Sequence, residues 1–140
     1  MRSISAGAVS LDEHTESVRF IPDTAHAVVD YLLAFFLIGA PFVLGFQAVS
    51  PIAHWPSVVT GVVVLAYSLL TDHALGLKRW IPLDVHLMAD FAVGLAFVAV
   101  PFAMGFDGFV RGYYLVLGVF LVNLALSSRL EIAGRSSAAA

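Results

Sequence analysis

The chain has 140 residues, of which 60% are hydrophobic and 12% are charged, and its formal net charge is −3. Soluble domains carry about 25% charged residues, so this composition excludes an ordinary water-soluble fold and favours membrane-spanning helices. The absence of cysteine excludes disulfides and thiolate metal sites, and the lack of a basic patch makes nucleic acid a poor partner.

The first segment, residues 1–20, is a polar tail of mixed charge without the apolar run of a signal peptide. It contains four side chains of metal-binding type, Asp12, Glu13, His14 and Glu16. Nothing in the sequence fixes their geometry, so a solvated tail on one side of the membrane is the simpler interpretation.

The next segment, residues 21–72, is predicted to hold two membrane-spanning helices. The first begins at Pro22, since proline is favoured in the first turn of a helix, and runs to about Phe46. A helix of that length can cross the roughly 30 Å hydrocarbon layer with some tilt. Pro41 is expected to kink this helix by removing a backbone hydrogen bond, and Gly45 is expected to end it or to admit a neighbouring helix.

A loop is predicted over residues 47–56, where turn-forming residues cluster and His54 is interpreted as an exposed side chain. The second helix is expected over residues 57–72, with Gly61 as a small position that another helix can contact. Residues 73–80, which are charged and contain glycine, are predicted to be a cytoplasmic linker.

The following segment, residues 81–129, is also predicted to hold two spans. Its first helix starts at Pro82 and carries alanines at steps of three and four, a stripe that lets a neighbouring helix approach closely. The stripe consists of Ala89, Ala92, Ala96, Ala99 and Ala103. A short turn leads to a last helix over about 109–128, and residues 130–140 are expected to form a frayed C-terminal tail.

The two halves of the chain form an internal duplication. Residues 21–46 align without a gap to residues 81–106, sixty positions later, and the identities are too many for chance. The identical pairs include Ile21 and Ile81, Pro22 and Pro82, His26 and His86, Asp30 and Asp90, Pro41 and Pro101, Phe42 and Phe102, Gly45 and Gly105, and Phe46 and Phe106. In the second helix of each half, Gly118 matches Gly61.

Repeats of two spans enter the membrane from the same side, so the prediction is an all-α membrane protein with four transmembrane helices in two tandem, parallel-oriented helical hairpins. Most basic residues lie on the side of the termini and the linker, and the positive-inside bias then places both termini in the cytoplasm. These residues are Arg2, Arg19, Lys78, Arg79, Arg129 and Arg135, whereas Arg111 lies opposite. The expected localisation is the inner (cytoplasmic) membrane, with the lipid bilayer as a partner.

Residues 67–106 carry, in order, Tyr-Ser-Leu-Leu-Thr-Asp, Ile-Pro, His-x-x-x-Asp and Pro-Phe-x-x-Gly-Phe. This stretch resembles the SPW-repeat family of small bacterial membrane proteins, and the resemblance extends over residues 21–127. The Ser-Pro-Trp for which the family is named reads Ala40-Pro41-Phe42 and Val100-Pro101-Phe102 here, which keeps the proline and an aromatic ring. The resemblance implies a two-hairpin membrane fold and no particular biochemical activity.

Two pairs of residues could carry chemistry, His26 with Asp30 and His86 with Asp90. Each pair is four apart on a helix and therefore shares a face. The duplication places the pairs symmetrically if the first helices of the two repeats face each other. Ionisable residues at a membrane edge are costly and usually face protein, so we expect both pairs to point inward.

The preferred interpretation of these pairs is structural. Each aspartate would accept hydrogen bonds from its own histidine or from a neighbouring donor such as Tyr67 or Thr71, and the pairs would orient the cytoplasmic ends of the helices. Tyr113 and Tyr114 are poor candidates for this role, because they begin the last helix on the opposite side of the membrane.

Two alternatives remain for the same four residues. Two histidines and two aspartates are a suitable ligand set for zinc, iron or manganese, and His26 with His86 could ligate a haem. The pairs could instead belong to a proton or ion path, as in a small transporter. A path needs polar stations across the whole span, and in the far half of the bundle the amides are Gln47 and Asn123.

No nucleophile–base pair, phosphate-binding loop or carboxylate dyad is evident, so the protein is predicted not to be an enzyme. Its expected role is structural or accessory, as a homo-oligomer or as a subunit of a larger membrane assembly. This role is expected because the chain has helix faces lined by small residues and almost no domain outside the membrane.

Overall fold

The computed structural model describes residues 12–138, with side chains described from residue 24 onward. Within these residues the helices are α1 (Asp12–Val43), α2 (Phe46–Val49), α3 (Pro51–Leu70), α4 (Leu83–Ala103) and α5 (Gly108–Ala138). The same residues form no β-strand. Four helical segments are long and apolar enough to cross a membrane, namely 24–43, α3, α4 and α5. The predicted all-α membrane fold with four spanning helices is confirmed.

The first helix of each repeat ends at a glycine. Gly45 and Gly105 have φ angles of 67° and 68°, in the left-handed region that glycine adopts without a Cβ clash. The first spanning helix therefore ends at Val43, slightly before the predicted Phe46. At its other end α1 extends back to Asp12, ahead of the expected start at Pro22. The side chains of the predicted 1–20 tail, including its metal-type residues, lie outside the described residues.

The predicted loop over residues 47–56 is wrong, because this segment is almost entirely helical. It contains the end of α2 and the first turns of α3, which begins at Pro51, where a helix does not need a backbone N–H. His54 consequently lies inside the bundle and is fully buried, instead of being exposed as expected. Its ring packs edge-on against Phe42, with 4.5 Å between the ring centroids.

The expectation of a frayed C-terminal tail is also wrong for residues 130–138, which continue α5 as a helix. This segment contains no proline, and Glu131 and Arg135 form an ion pair one turn apart, at 3.8 Å. The last two residues, 139–140, lie outside the described part of the chain.

The spanning helices pack mainly in two pairs, α1 with α3 and α4 with α5. In the first pair the closest approach is at Gly61, where a Cβ would lie 2.7 Å from the Ile38 side chain and 2.8 Å from the Ala34 carbonyl oxygen. The Ser57 hydroxyl donates to the Leu37 carbonyl at 2.9 Å. Residue numbers therefore increase along α3 in the direction in which they decrease along α1. The two helices are therefore antiparallel.

The second pair repeats this contact. A Cβ on Gly118 would lie 2.8 Å from both the Gly94 carbonyl oxygen and the Val98 side chain, and these residues are the repeat equivalents of Ala34 and Ile38. The alanine stripe of α4 takes no part in this approach, because most of its members face outward. The exposed members are Ala92, Ala96, Ala99 and Ala103. The glycines, and not the alanines, thus allow the helices of this chain to come together.

At the end of the bundle away from the termini, α3 and α5 are joined by hydrogen bonds. The Ser57 hydroxyl gives its proton to Leu37 and therefore accepts from the Tyr113 hydroxyl, at 2.7 Å. Tyr114 donates to the Ala53 carbonyl at 2.5 Å. All of these side chains are buried. These bonds connect the second helices of the two repeats.

The Ser57–Tyr113 bond yields a testable prediction. Ser57→Ala and Tyr113→Phe should each lower the free energy of unfolding, and the double variant should lose less than the sum, with a coupling of about 0.6–2 kcal/mol. Reversible unfolding in mixed micelles measures all four corners of the cycle. Asn123, whose amide bonds within its own helix to Val119, is the control: Asn123→Ala should add to Tyr113→Phe without coupling. Strict additivity in the Ser57 cycle would show that this bond does not join the helices.

Candidate functional site

The two His-x-x-x-Asp pairs meet inside the bundle. His26 and Asp30 lie on α1, His86 and Asp90 lie on α4, and all four side chains are buried, with His26 the most exposed at 7%. We call these four residues the His/Asp cluster. The helical spacing of four directs both members of each pair to one face, and the two faces point at each other. The inward orientation expected from the sequence is therefore observed.

Four atoms form the centre of the His/Asp cluster: the two imidazole Nε2 atoms and the two carboxylate Oδ2 atoms. His86 Nε2 lies 2.8 Å from Asp30 and 3.1 Å from Asp90. His26 Nε2 lies 3.3 Å from Asp30 and 3.5 Å from Asp90. Nitrogen and oxygen thus alternate around a closed four-membered arrangement, in which every histidine contacts both aspartates.

The second ring nitrogen of each histidine, Nδ1, contacts a hydroxyl from the other repeat. Thr71 Oγ1 lies 2.8 Å from His86 Nδ1, and Ser128 Oγ lies 3.0 Å from His26 Nδ1. In the repeat alignment that matches Gly61 with Gly118, Thr71 matches Ser128. The His-x-x-x-Asp pair and its hydroxyl partner are therefore present in both repeats. The hydroxyl of each repeat contacts the histidine of the other.

These hydroxyls determine which histidine nitrogen carries the proton. Thr71 donates its only hydroxyl proton to the Tyr67 carbonyl at 2.7 Å, and Ser128 donates to the Leu124 carbonyl at 3.0 Å. Each hydroxyl can then only accept from the adjacent imidazole, so both Nδ1 atoms carry hydrogen. In a neutral histidine the remaining nitrogen, Nε2, has a free lone pair, and here it faces the carboxylates.

One hydrogen bond breaks the symmetry of the cluster. The Tyr67 hydroxyl donates to Asp90 Oδ1. Tyr67 is one of the donors to an aspartate that the sequence predicts. The repeat equivalent of Tyr67 is Leu124, which has no hydroxyl, and Asp30 Oδ1 is buried without a hydrogen-bond partner among the described residues. Tyr113 lies at the opposite end of the bundle, as expected.

The linker between the repeats covers the His/Asp cluster. After Thr71 the chain folds back, so that Asp72 N–H donates to Ile81 at 2.9 Å and the Tyr31 hydroxyl reaches the Leu75 carbonyl at 3.0 Å. His73 in this linker is 6% exposed, and its ring centroid lies 6.0 Å from that of His86. Burial lowers the pKa of His73, and its Nδ1 accepts the Leu75 N–H at 3.2 Å, which fits a neutral ring.

A narrow cavity approaches the cluster from the side of the C-terminal part of α5. It has a volume of about 20 Å³ and is lined by His26, Ser128, Glu131 and Arg135, among others. This is space for about one water molecule. The His26 end of the cluster is thus accessible to a small ion or a water, and a larger molecule is excluded.

Haem does not fit this site. A haem ligated by His26 and His86 would need its flat macrocycle between the two imidazoles. The carboxylates of Asp30 and Asp90 occupy that space, 2.8–3.5 Å from both Nε2 atoms. A single metal ion, by contrast, needs no more room than the centre of the four atoms provides.

An apolar layer separates the His/Asp cluster from the polar residues at the far end of the bundle. This layer includes Leu33, Leu37, Val64, Phe97, Leu117 and Leu121, all buried. Proton or ion conduction needs polar stations in this layer. The geometry gives no support to a path that starts at the cluster and crosses the membrane.

Sequence reasoning missed Ser128 as a partner of His26 and His73 as part of the cover. Ser128 could have been found, because it is the repeat equivalent of Thr71. His73 gave no comparable signal: its burial depends on how the linker folds back onto α1 and α4.

Comparison with known proteins gives one match. The model of the SPW repeat domain family matches residues 24–128, which contain all four spans' apolar cores, the His/Asp cluster and its hydroxyl partners. No curated protein and no solved structure matches the chain. Since the family match covers more than half of the chain, this multi-pass membrane protein belongs to the SPW repeat domain family.

Proposed function

We propose that this protein has a structural or accessory role in the inner (cytoplasmic) membrane, and that it has no catalytic activity of its own. The observation that carries the proposal is the His/Asp cluster, which joins α1 of one helix pair to α4 of the other through four short N···O contacts. Its side chains are used to hold the two repeats together in one defined arrangement.

The size of the cavity beside the cluster supports a non-enzymatic role. Small-molecule sites usually enclose about 300–1,000 Å³. The cavity at His26 has about 20 Å³, and the cluster itself is covered by the linker. An organic substrate could not reach the four side chains without separation of the helices.

The outward-facing alanines of α4 support a role in a larger assembly. Ala92, Ala96, Ala99 and Ala103 are exposed along one side of the helix, next to the exposed Met88. Small residues at such spacing let a second helix approach closely, and helices in lipid associate through this kind of packing. The helices of this chain leave the stripe uncovered, so we propose that a helix of a partner protein or of a second copy packs there.

The charges outside the spans support the proposed orientation. Lys78 and Arg79 lie in the linker and Arg129 and Arg135 in the last part of α5, all at the end of the bundle where α1 begins and α5 ends. Arg111 lies at the other end, where it pairs with Asp107 at 2.6 Å. The positive-inside bias then favours a cytoplasmic location for both termini.

Site-specific photocrosslinking in native membranes tests the assembly. A crosslinking residue at Ala96 should give a defined protein adduct, either a dimer of the 14.9 kDa chain or a heteromer identified by mass spectrometry. The same residue at Val119, which is 53% exposed on α5 without small neighbours at helical spacing, is the matched control and should react with lipid only. Absence of any protein adduct at Ala96, or equal adducts at both positions, would count against the proposal.

A further inference from the structure

We propose that the His/Asp cluster is a closed, four-coordinate binding site for one divalent transition-metal ion of the zinc class. The ligand atoms are Nε2 of His26 and His86 and one carboxylate oxygen each of Asp30 and Asp90. This inference concerns the same residues as the proposed function but goes beyond it, since the accessory role requires only that the cluster hold the repeats together.

The four ligand atoms converge on a common centre. Zinc bonds to nitrogen and oxygen of about 2.0–2.2 Å place neighbouring ligand atoms of a tetrahedron about 3.3–3.6 Å apart. The four N···O distances in the cluster run from 2.8 to 3.5 Å, and the ligand atoms of all four residues lie within 4.8 Å of one another. To reach that geometry the closest N···O pair must move apart, and the widest separation, at most 4.8 Å, must close toward 3.6 Å.

Two of the four central atoms lack a hydrogen bond. Among the described residues, His26 Nε2 and Asp90 Oδ2 are buried and have no hydrogen-bond partner, although each lies within 3.5 Å of an opposite partner, whereas His86 Nε2 and Asp30 Oδ2 bond to each other at 2.8 Å. A hydrogen bond needs a donor aimed at an acceptor, and most buried polar atoms have one. Atoms that approach without such alignment, because they point toward a common centre, are arranged as metal ligands are.

The two imidazoles are oriented with Nε2 toward the centre of the cluster. The hydroxyls of Thr71 and Ser128 hold a proton on Nδ1 of His86 and His26, so each Nε2 offers a lone pair to the centre when its ring is neutral. His86 Nε2 donates to Asp30 at 2.8 Å when its ring is protonated, and a metal ion would take the place of that proton. Metal-ligating histidines are typically held in this way, with the second ring nitrogen donating to an oxygen. Tyr67 donates in the same manner to the outer oxygen of Asp90.

The carboxylates of the cluster favour a cation. Two carboxylates that face each other in a buried, membrane-embedded site are both ionised only when positive charge lies nearby; otherwise one stays protonated. With both histidines neutral, one divalent cation balances Asp30 and Asp90. Two nitrogen and two oxygen ligands suit zinc and its first-row neighbours, whereas calcium and magnesium prefer six or more oxygens. The cavity beside His26, which Glu131 also lines, has room for about one water or small ion next to the cluster.

Metal content tests the site directly. The protein, purified in mild detergent without a polyhistidine tag, is stripped with chelator, loaded with Zn²⁺ and freed of excess ion. We expect one zinc per chain, and loading with Co²⁺ instead should give the intense visible bands of tetrahedral cobalt. His26→Gln/His86→Gln should abolish both signals, and Asp30→Asn, which preserves the shape of the side chain, should weaken zinc binding by at least about tenfold. His54→Gln removes a buried histidine outside the cluster and should retain one zinc.

Wild-type protein that holds no stoichiometric zinc, or cobalt with the weak spectrum of a hydrated ion, would overturn the proposal. So would full zinc content in His26→Gln/His86→Gln, because the ion would then be adventitious. The cobalt spectrum needs only the wild type, so the test stands even if a variant fails to fold. Photocrosslinking at Ala96 can succeed or fail whichever result is obtained, so the accessory role and the metal site are judged separately.

Discussion

Asp90→Ala is expected to lower the free energy of unfolding by roughly 3–5 kcal/mol, the largest effect that we predict for a single substitution in this protein. Asp90 is fully buried, contacts both histidines and accepts the Tyr67 hydroxyl. Without it, the remaining groups keep their desolvation cost and lose a partner of opposite charge. Reversible unfolding in mixed micelles measures the loss, whether the positive charge in the cluster comes from protons or from a metal ion.

Asp84→Ala is the matched control for this prediction. Asp84 lies on the same helix, in its exposed first turn, and should cost no more than about 1 kcal/mol through its interaction with the helix dipole. A second comparison replaces the whole cluster by apolar side chains of similar volume, together with Tyr67→Phe. This variant should unfold less readily than Asp90→Ala alone, because no buried group is left without its partner. Equal stability of Asp90→Ala and Asp84→Ala would show that the cluster does not hold the repeats together.

Gly118→Ala is expected to destabilise the protein by roughly 1–3 kcal/mol, although alanine is the better helix former. The new methyl group would lie 2.8 Å from the Gly94 carbonyl oxygen and 2.8 Å from the Val98 backbone nitrogen. Backbone atoms cannot rotate away as a side chain can, so α4 and α5 must separate. Unfolding in mixed micelles reports the cost.

The control for Gly118→Ala is on the same helix. A Cβ on Gly112 would have nothing within 4 Å, so Gly112→Ala changes helix propensity without a clash. It should stabilise the protein slightly, by up to about 1 kcal/mol. Opposite signs for the two substitutions are the expected result. If Gly118→Ala were as stable as Gly112→Ala, the close approach of α4 and α5 would not contribute to stability.

The sequence allowed the four spans and the inward orientation of the two His-x-x-x-Asp pairs to be predicted, for a physical reason. The meeting of the pairs depended on whether the first helices of the two repeats face each other, which no local pattern shows. Long apolar runs determine membrane helices, and a spacing of four directs His86 and Asp90 to one face, which the duplication repeats at His26 and Asp30. Tyr67, a predicted donor to an aspartate, does donate to Asp90, whereas Thr71, predicted for the same role, contacts His86 Nδ1 instead. The spans and the inward orientation depend on local periodicity, which a single sequence carries.

The features that could not be predicted depend on contacts between distant segments or on competition between weak signals. Proline and serine near Pro51 indicated a loop, yet the same proline begins α3, because the first turn of a helix tolerates it. His54 became buried as a consequence. The contact between Ser128 and His26 joins the last helix to the first, and no local sequence pattern predicts it. It could have been predicted only by comparing Ser128 with Thr71 in the other repeat.

The exchange of hydroxyls between repeats makes each half of the chain depend on the other. Each two-span unit contributes one histidine, one aspartate and one imidazole-binding Ser or Thr hydroxyl to the cluster, and that hydroxyl reaches the histidine of the other unit, not its own. Half of the chain therefore cannot complete the cluster by itself, whereas two copies related by a twofold axis can, through an isologous interface. The present chain supplies both units in one polypeptide, so the cluster forms without association of two chains. The two halves can also differ from each other, as they do where Tyr67 faces the cluster on one side and Leu124 stands on the other.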